Sequence, residues 1–177
     1  MAVADYPQHL VQHRVLADGT PITIRPIRAA DAAMEQEFTR HLSKDSRYLR
    51  FMGTLAELPP KKLKLFTDID YDRHMAFVAT VEREGKELEI AVARYVATEK
   101  PGCCEFAITV DDDWQGSGVA GLLMLALQDA ARRRGFVAME GLILATNSRM
   151  LKFARQLGFT AHREPGERDT VRVELAL

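Results

Sequence analysis

The stretch Cys103–Gly135, CCEFAITVDDDWQGSGVAGLLMLALQDAARRRG, decides the fold. Its first eight residues alternate with the two-residue period of a strand, so Cys104, Phe106, Ile108 and Val110 share one face. That face is apolar and reads as core. Cys103, Glu105, Ala107 and Thr109 share the other, where Glu105 is a lone carboxylate among small or polar neighbours, as on the wall of a cleft. Asp111 to Gln115 then break the pattern, and Gly116-Ser117-Gly118 open a helix on which Val119, Leu122, Leu123, Ala126 and Ala130 recur at helical spacing. Arg132 to Arg134 suit the negative C-terminal end of that helix, and Gly135 its cap. Unpaired backbone N–H groups at the helix start, on glycines that permit close approach, predict an anion site fit for a diphosphate.

Gly116, Gly118 and Gly121 also satisfy G-x-G-x-x-G, with Glu140 nineteen residues further on, which raises the alternative of a dinucleotide-binding unit. A dinucleotide fold sets its glycines directly after the strand, whereas Asp111 to Gln115 intervene here. Only 56 residues follow Gly121, too few for the remaining strand–helix units, and Glu140 falls inside a strand-like run. The phosphate-loop reading stands and the nicotinamide reading is disfavoured.

The 177 residues are 47% hydrophobic and 28% charged, which predicts one globular domain spanning 1–177. The net charge is −1 with acids and bases interspersed, so no basic footprint for nucleic acid is expected. The longest apolar stretch, Val119 to Leu127, is too short to cross a bilayer, and no basic segment followed by an apolar one opens the chain. A cytoplasmic protein without membrane contact is expected. Cys103 and Cys104 are adjacent on a strand and point to opposite faces, so they form no disulfide framework or metal pair. Asp111 to Asp113 lack calcium-loop spacing and are expected to face solvent. No metal is expected.

From the N-terminus, a hairpin through Asp18-Gly19 joins Leu10 to Leu16 with Ile22 to Ile24. Asp31 is read as the cap of a helix reaching about His41, Ser43 as the cap of the next, and Pro59-Pro60 as the start of a third. Arg47, Arg50, Lys61, Lys62 and Lys64 read most simply as solvated faces, although two of these helices could line an acceptor cleft. Met75 to Val81, Leu88 to Val96 and Cys103 to Val110 form an antiparallel meander. The helix after Gly118 crosses to Phe136 to Ala145, which should therefore pair in parallel with the Cys103 strand. Asn147 caps a helix stopped by Gly158, and a hairpin around Pro165-Gly166 closes the chain. The fold class is α+β (mixed α/β): a twisted, mostly antiparallel sheet with a central parallel pair and helices on both faces.

Gln115-Gly116-Ser117-Gly118-Val119-Ala120 matches the Q/R-x-x-G-x-G/A loop, and on it the chain resembles the GNAT superfamily of N-acyltransferases. With Arg25-Pro26-Ile27-Arg28, Ser46-Arg47-Tyr48-Leu49-Arg50-Phe51 and Ile69-Asp70-Tyr71-Asp72, it resembles the acetyltransferase domain of bacterial protein lysine acetyltransferases. The resemblance implies a GNAT fold, acetyl-CoA as cosubstrate, and an amine acceptor, in this branch a protein lysine. It implies Glu105 as the catalytic base. It also implies that Phe106, Ala107, Ile108, Val110, Gln115, Gly116, Ser117, Gly118, Val119, Ala120, Asn147 and Phe153 bind the cofactor. Residue by residue, Glu105 reads either as that base, raised toward neutrality by burial, or as a strand glutamate paired with Arg94. Asn147 reads either as a contact to the cofactor arm or as a helix cap. Many GNAT enzymes carry a tyrosine where this chain has Ala154. Asp70, Tyr71 and His74 are candidate acceptor contacts, though each by itself reads more simply as part of an ordinary polar loop with one packed aromatic. The alternatives left open are a small-molecule amine N-acetyltransferase and a non-catalytic acyl-CoA sensor. In relatives a further domain often regulates activity, so the chain is expected to act constitutively or under a separate protein.

Overall fold

A computed structural model describes residues 4–53 and 55–177. Strands β1 (Gln12–Val15) and β2 (Pro21–Pro26) form the expected first hairpin. Helices α1 (Ala32–His41), α2 (Lys44–Phe51) and α3 (Pro60–Thr67) follow. The meander is β3 (His74–Arg83), β4 (Lys86–Ala97) and β5 (Cys103–Val110). Glu84 and Gly85, with φ of 53° and 75°, make the two-residue turn between β3 and β4 that the twist of a hairpin favours. After β5 come α4 (Val119–Arg133), β6 (Ala138–Leu144), α5 (Ser148–Gln156), β7 (Thr160–His162) and β8 (Thr170–Ala176).

The strand order is β1-β2-β3-β4-β5-β6-β8-β7, and every neighbouring pair is antiparallel except β5 with β6. The crossover through α4 thus yields the parallel pair expected, as the connection rule requires. One sheet face meets α4: Tyr95 of β4 packs edge-on to Phe136, just beyond α4, at 5.2 Å between centroids, and Leu123 and Leu127 are fully buried. The other face meets α1 and α3, through Arg94 of β4, which reaches Glu35 of α1 and stacks on Phe66 of α3.

Two local expectations are corrected. Asp31 makes no side-chain cap to α1. Its carboxylate instead takes the Arg28 amide and a bidentate pair with Arg25 at 2.7 and 2.8 Å, and this closes the 3-10 turn Ala29–Asp31. Buried Arg25 demands a fixed anion, and that need outweighs a helix cap. Asp111 to Asp113 do not simply face solvent. Asp111 is buried on His41 Nδ1 at 2.7 Å, and Asp112 accepts from Ser43 N, Ser43 Oγ and Ser46 Oγ at 2.9, 3.0 and 2.6 Å. These acids tie the loop after β5 to the α1–α2 junction, and the hydrogen bond to Asp111 raises the affinity of His41 for its proton. Among the described residues, no helix is long and apolar enough to cross a membrane.

Candidate active site

The site begins where two parallel strands part. Ladder pairing of β5 with β6 runs only from Cys103↔Ala138 to Glu105↔Glu140, although β5 continues to Val110 and β6 to Leu144. Beyond Glu140, β6 keeps its partner β8 on the other side, from Gly141↔Val173 to Leu144↔Thr170. Phe106 explains how the fork is held open. Its ring lies so close to Gly141 that a Cβ there would sit 2.4 Å from Cε1. The ring also meets Phe159 at 5.0 Å, which fixes it from behind. Gly141 is therefore a seat for Phe106 as well as a strand residue.

The fork opens into a cleft of about 1010 Å³ that continues past β5 to the start of α4. Of the residues expected at the site, Glu105, Phe106, Ala107, Ile108, Val110, Gln115, Gly116, Gly118, Val119, Ala120, Asn147 and Phe153 all line it. Ser117 does not; its hydroxyl turns inward to the Val119 amide at 3.4 Å. Gly116 and Gly118 have φ of 78° and 90°, and around Gly118 a Cβ would meet nothing within 4 Å. The glycines thus bend the chain left-handed into α4 and leave the Ala120 and Gly121 amides of its first turn open to the cleft, while Val119 N–H is taken by Ser117. Asn147 accepts the Met150 amide at 3.2 Å, so its capping role is built in, and it lines the cleft as well.

Glu105 stands at the apex of the fork, last in the β5–β6 ladder, and is exposed rather than buried as expected. It faces the side of the sheet covered by α1 and α3, since its β4 partner Val96 lies two residues from Arg94 on that face. Arg94 is not its counter-ion. The guanidinium is 3.7 Å from Glu35, donates to Phe66 O at 3.0 Å and to His74 Nε2 at 3.1 Å, and lies 4.2 Å over the Phe66 ring. Burial and Arg94 push the His74 imidazole down to about 4. Tyr71 is buried with φ 59°, and its hydroxyl donates to Ile27 O at 2.7 Å. Asp70 accepts the Asp72 and His74 amides. Asp70, Tyr71 and His74 are thus occupied in the fold, and none lines the cleft. Ala154 is a buried residue of α5.

Two cleft cations escaped the sequence reading. Arg149 of α5 donates from Nη1 to Gln115 Oε1, which sets it against the glycine loop, and Lys152 lines the same wall. Their three-residue spacing on the helix capped by Asn147 was the available signal. Arg50 of α2 and Lys62 of α3, read most simply as solvated faces, both line the cleft, Arg50 half-buried and Lys62 exposed.

Residues 35–159 match the acetyltransferase (GNAT) family. Acetyltransferase PA5475 of Pseudomonas aeruginosa is 41% identical over 162 residues, covering 92% of this chain and 87% of its own. Acetyltransferase Pat of Mycolicibacterium smegmatis is 29% identical over 88% of this chain, which spans 49% of that relative. The crystal structure of the GNAT domain of S. lividans PAT superposes with a TM-score of 0.88 at 31% identity, covering 98% of this chain and 100% of that one.

Proposed function

Because the chain belongs to the GNAT acetyltransferase family, and so is an N-acetyltransferase that uses acetyl-CoA, we propose that its acceptor is a protein lysine and that Glu105 is the base. The observation that carries the reading is the fork at Glu105. Beyond it, the β6-facing edge of β5 from Phe106 to Val110 has no strand partner among the described residues. The amides of a pantetheine arm pair with such an edge much as an added strand does. From Glu105 to Val110 is roughly 17 Å along extended chain, a span suited to that arm. The diphosphate then meets the backbone from Gln115 to Ala120 at the positive end of α4, where the Gly118 and Ala120 amides have no partner within the loop, with Arg149 and Lys152 beside it. Ala107, Ile108, Asn147 and Phe153 flank the arm, and Ser117 supports the loop from within.

The thioester carbonyl lies beside Glu105. A lysine amine, with a reference pKa near ~10.4, attacks only after losing a proton. Glu105 accepts that proton directly or through one water, the nitrogen lone pair bonds to the carbonyl carbon, and the C–S bond breaks. The departing thiolate, whose thiol has a pKa near ~8.5, takes a proton from water in the open cleft. The rim between α2 and α3 leaves this end accessible to a side chain reaching in from a folded protein.

The test is to incubate the protein with labelled acetyl-CoA and, in parallel, a host lysate and a panel of small amines. Discrete acetyl-lysines above the background with Glu105→Gln are expected. That variant should bind acetyl-CoA normally and turn over ~10²–10⁴-fold more slowly. Label on a small amine alone would overturn the lysine acceptor. Unchanged turnover in Glu105→Gln would remove Glu105 as base.

A further inference from the structure

The acceptor end of the cleft holds more positive charge than the protein itself balances. Arg50, in the last turn of α2, and Lys62, on α3, share two aromatic rings. The Arg50 guanidinium lies 4.9 Å from the Phe51 centroid and 5.9 Å from that of Phe66, and the Lys62 ammonium lies 5.4 and 5.7 Å from the same two. Arg94 covers Phe66 as a third cation at 4.2 Å. Ring faces hold cations in position without neutralising them. Arg94 has Glu35 at 3.7 Å. The other buried carboxyl of this cluster, Glu89, is driven toward its neutral form by burial and by Glu35. Among the described residues, Arg50 and Lys62 make no ion pair, while both line the cleft that Glu105 lines. The ionised groups acting on Arg50 are Arg94, Glu35 and Glu105; half-burial and Arg94 lower its proton affinity to about 10. Asp45 lines the cleft from the first turn of α2, at the opposite end of the helix from Arg50.

A protein that partly buries Arg50 beside its reaction centre and holds exposed Lys62 on the same two rings, with no carboxylate among the described residues within ion-pair distance of either, is matched by an anion on what binds there. We propose that Arg50 and Lys62 form a clamp for a carboxylate carried by the acceptor beside its reactive lysine, so that lysines flanked by Asp or Glu are the preferred substrates. The inference rests on the lysine reading above. It gives the clamp two consequences: it fixes the acceptor chain across α2 and α3, and it leaves Glu105 free of a competing internal ion pair. The aromatic pair positions both cations, so the clamp is preorganised.

The test uses lysine peptides identical but for the flanking residue, which is Glu, Gln or Lys, with acetyl-CoA at saturation. The wild-type protein should favour the Glu peptide over the Gln peptide by about tenfold in kcat/KM, chiefly through KM, as one charge-assisted hydrogen bond in a partly wet site provides. Lys62 is exposed, so Lys62→Gln and Lys62→Glu should fold. The first should reduce that preference and the second should shift it toward the Lys peptide; Arg50→Gln with Lys62→Gln should abolish it. Equal kcat/KM for the three peptides, or a Glu preference that survives the double substitution, would overturn the clamp while leaving lysine acetylation intact. Faster transfer from succinyl-CoA than from acetyl-CoA to the Gln peptide, lost in the double variant, would assign the clamp to the acyl chain and overturn it as an acceptor site. Failure to acetylate any peptide while small amines are acetylated would overturn the lysine reading itself.

Discussion

Gly118 concentrates the demands on the phosphate loop in a single residue. Its φ of 90° belongs to the left-handed region, and the space its Cβ would enter is empty of protein. Gly118→Leu should therefore fold, at a cost of about 1–2 kcal/mol for forcing an L-residue left-handed. Its side chain would occupy the approach to the α4 amides, so acetyl-CoA affinity should fall at least ~10-fold, a 1.4 kcal/mol effect. Calorimetry giving wild-type affinity in the folded variant would move the diphosphate elsewhere. The glycine-rich loop was legible in the sequence because left-handed turns and helix starts are local. Glu105 was legible as a residue on the cleft wall but not in its exposure, which depends on β6 leaving the ladder. Tyr71, a candidate acceptor contact that reads more simply as a packed aromatic, is packed: its hydroxyl is committed to Ile27 and its ring lies edge-on against Tyr6 at 5.9 Å.

The fork between β5 and β6 is the element on which the proposed function rests. Strand periods, the crossover and the parallel pairing follow from local pattern and connection rules, and all were legible. The point at which pairing stops was not, because it depends on Phe106 seated over Gly141, a contact 35 residues apart in sequence. Gly141→Ala should force the ring or β6 to shift, since 2.4 Å is far below any tolerable carbon contact and Phe159 closes the retreat. A loss of about 1–3 kcal/mol in denaturant unfolding is expected. Adding Phe106→Leu should recover part of it, a coupling that two independent effects would lack. Additive losses would show that Phe106 does not hold the fork. The acidic run fails the solvation rule in the same way, because Asp111 and Asp112 meet His41, Ser43 and Ser46, 66 to 70 residues away, whereas Asp31 loses its cap to Arg25, six residues away, whose burial no local pattern shows.

Across the whole molecule, a near-neutral chain hides an uneven interior. Glu35, Glu89 and Arg94 are all buried between α1 and the sheet. No sequence window brings these three together, so the cluster was not legible. Glu89 binds its proton more tightly when folded than when unfolded, because burial and Glu35 disfavour its charge. Its contribution to stability is therefore complete below the unfolded carboxyl pKa of about ~4.3 and is lost as pH rises toward the raised folded value. Glu89→Gln removes that loss. Thermal melts should show the variant gaining on the wild type between pH 5 and pH 8, whereas a gap that stays constant with pH would mean that Glu89 is ionised in the fold. On the proposed reading, acetyl-CoA occupies the fork and the loop that continues it. Amide hydrogen exchange followed by mass spectrometry, with and without acetyl-CoA, tests this most directly: protection confined to residues 106–120 and the start of α5 is predicted, and protection elsewhere with none at 106–120 would contradict it.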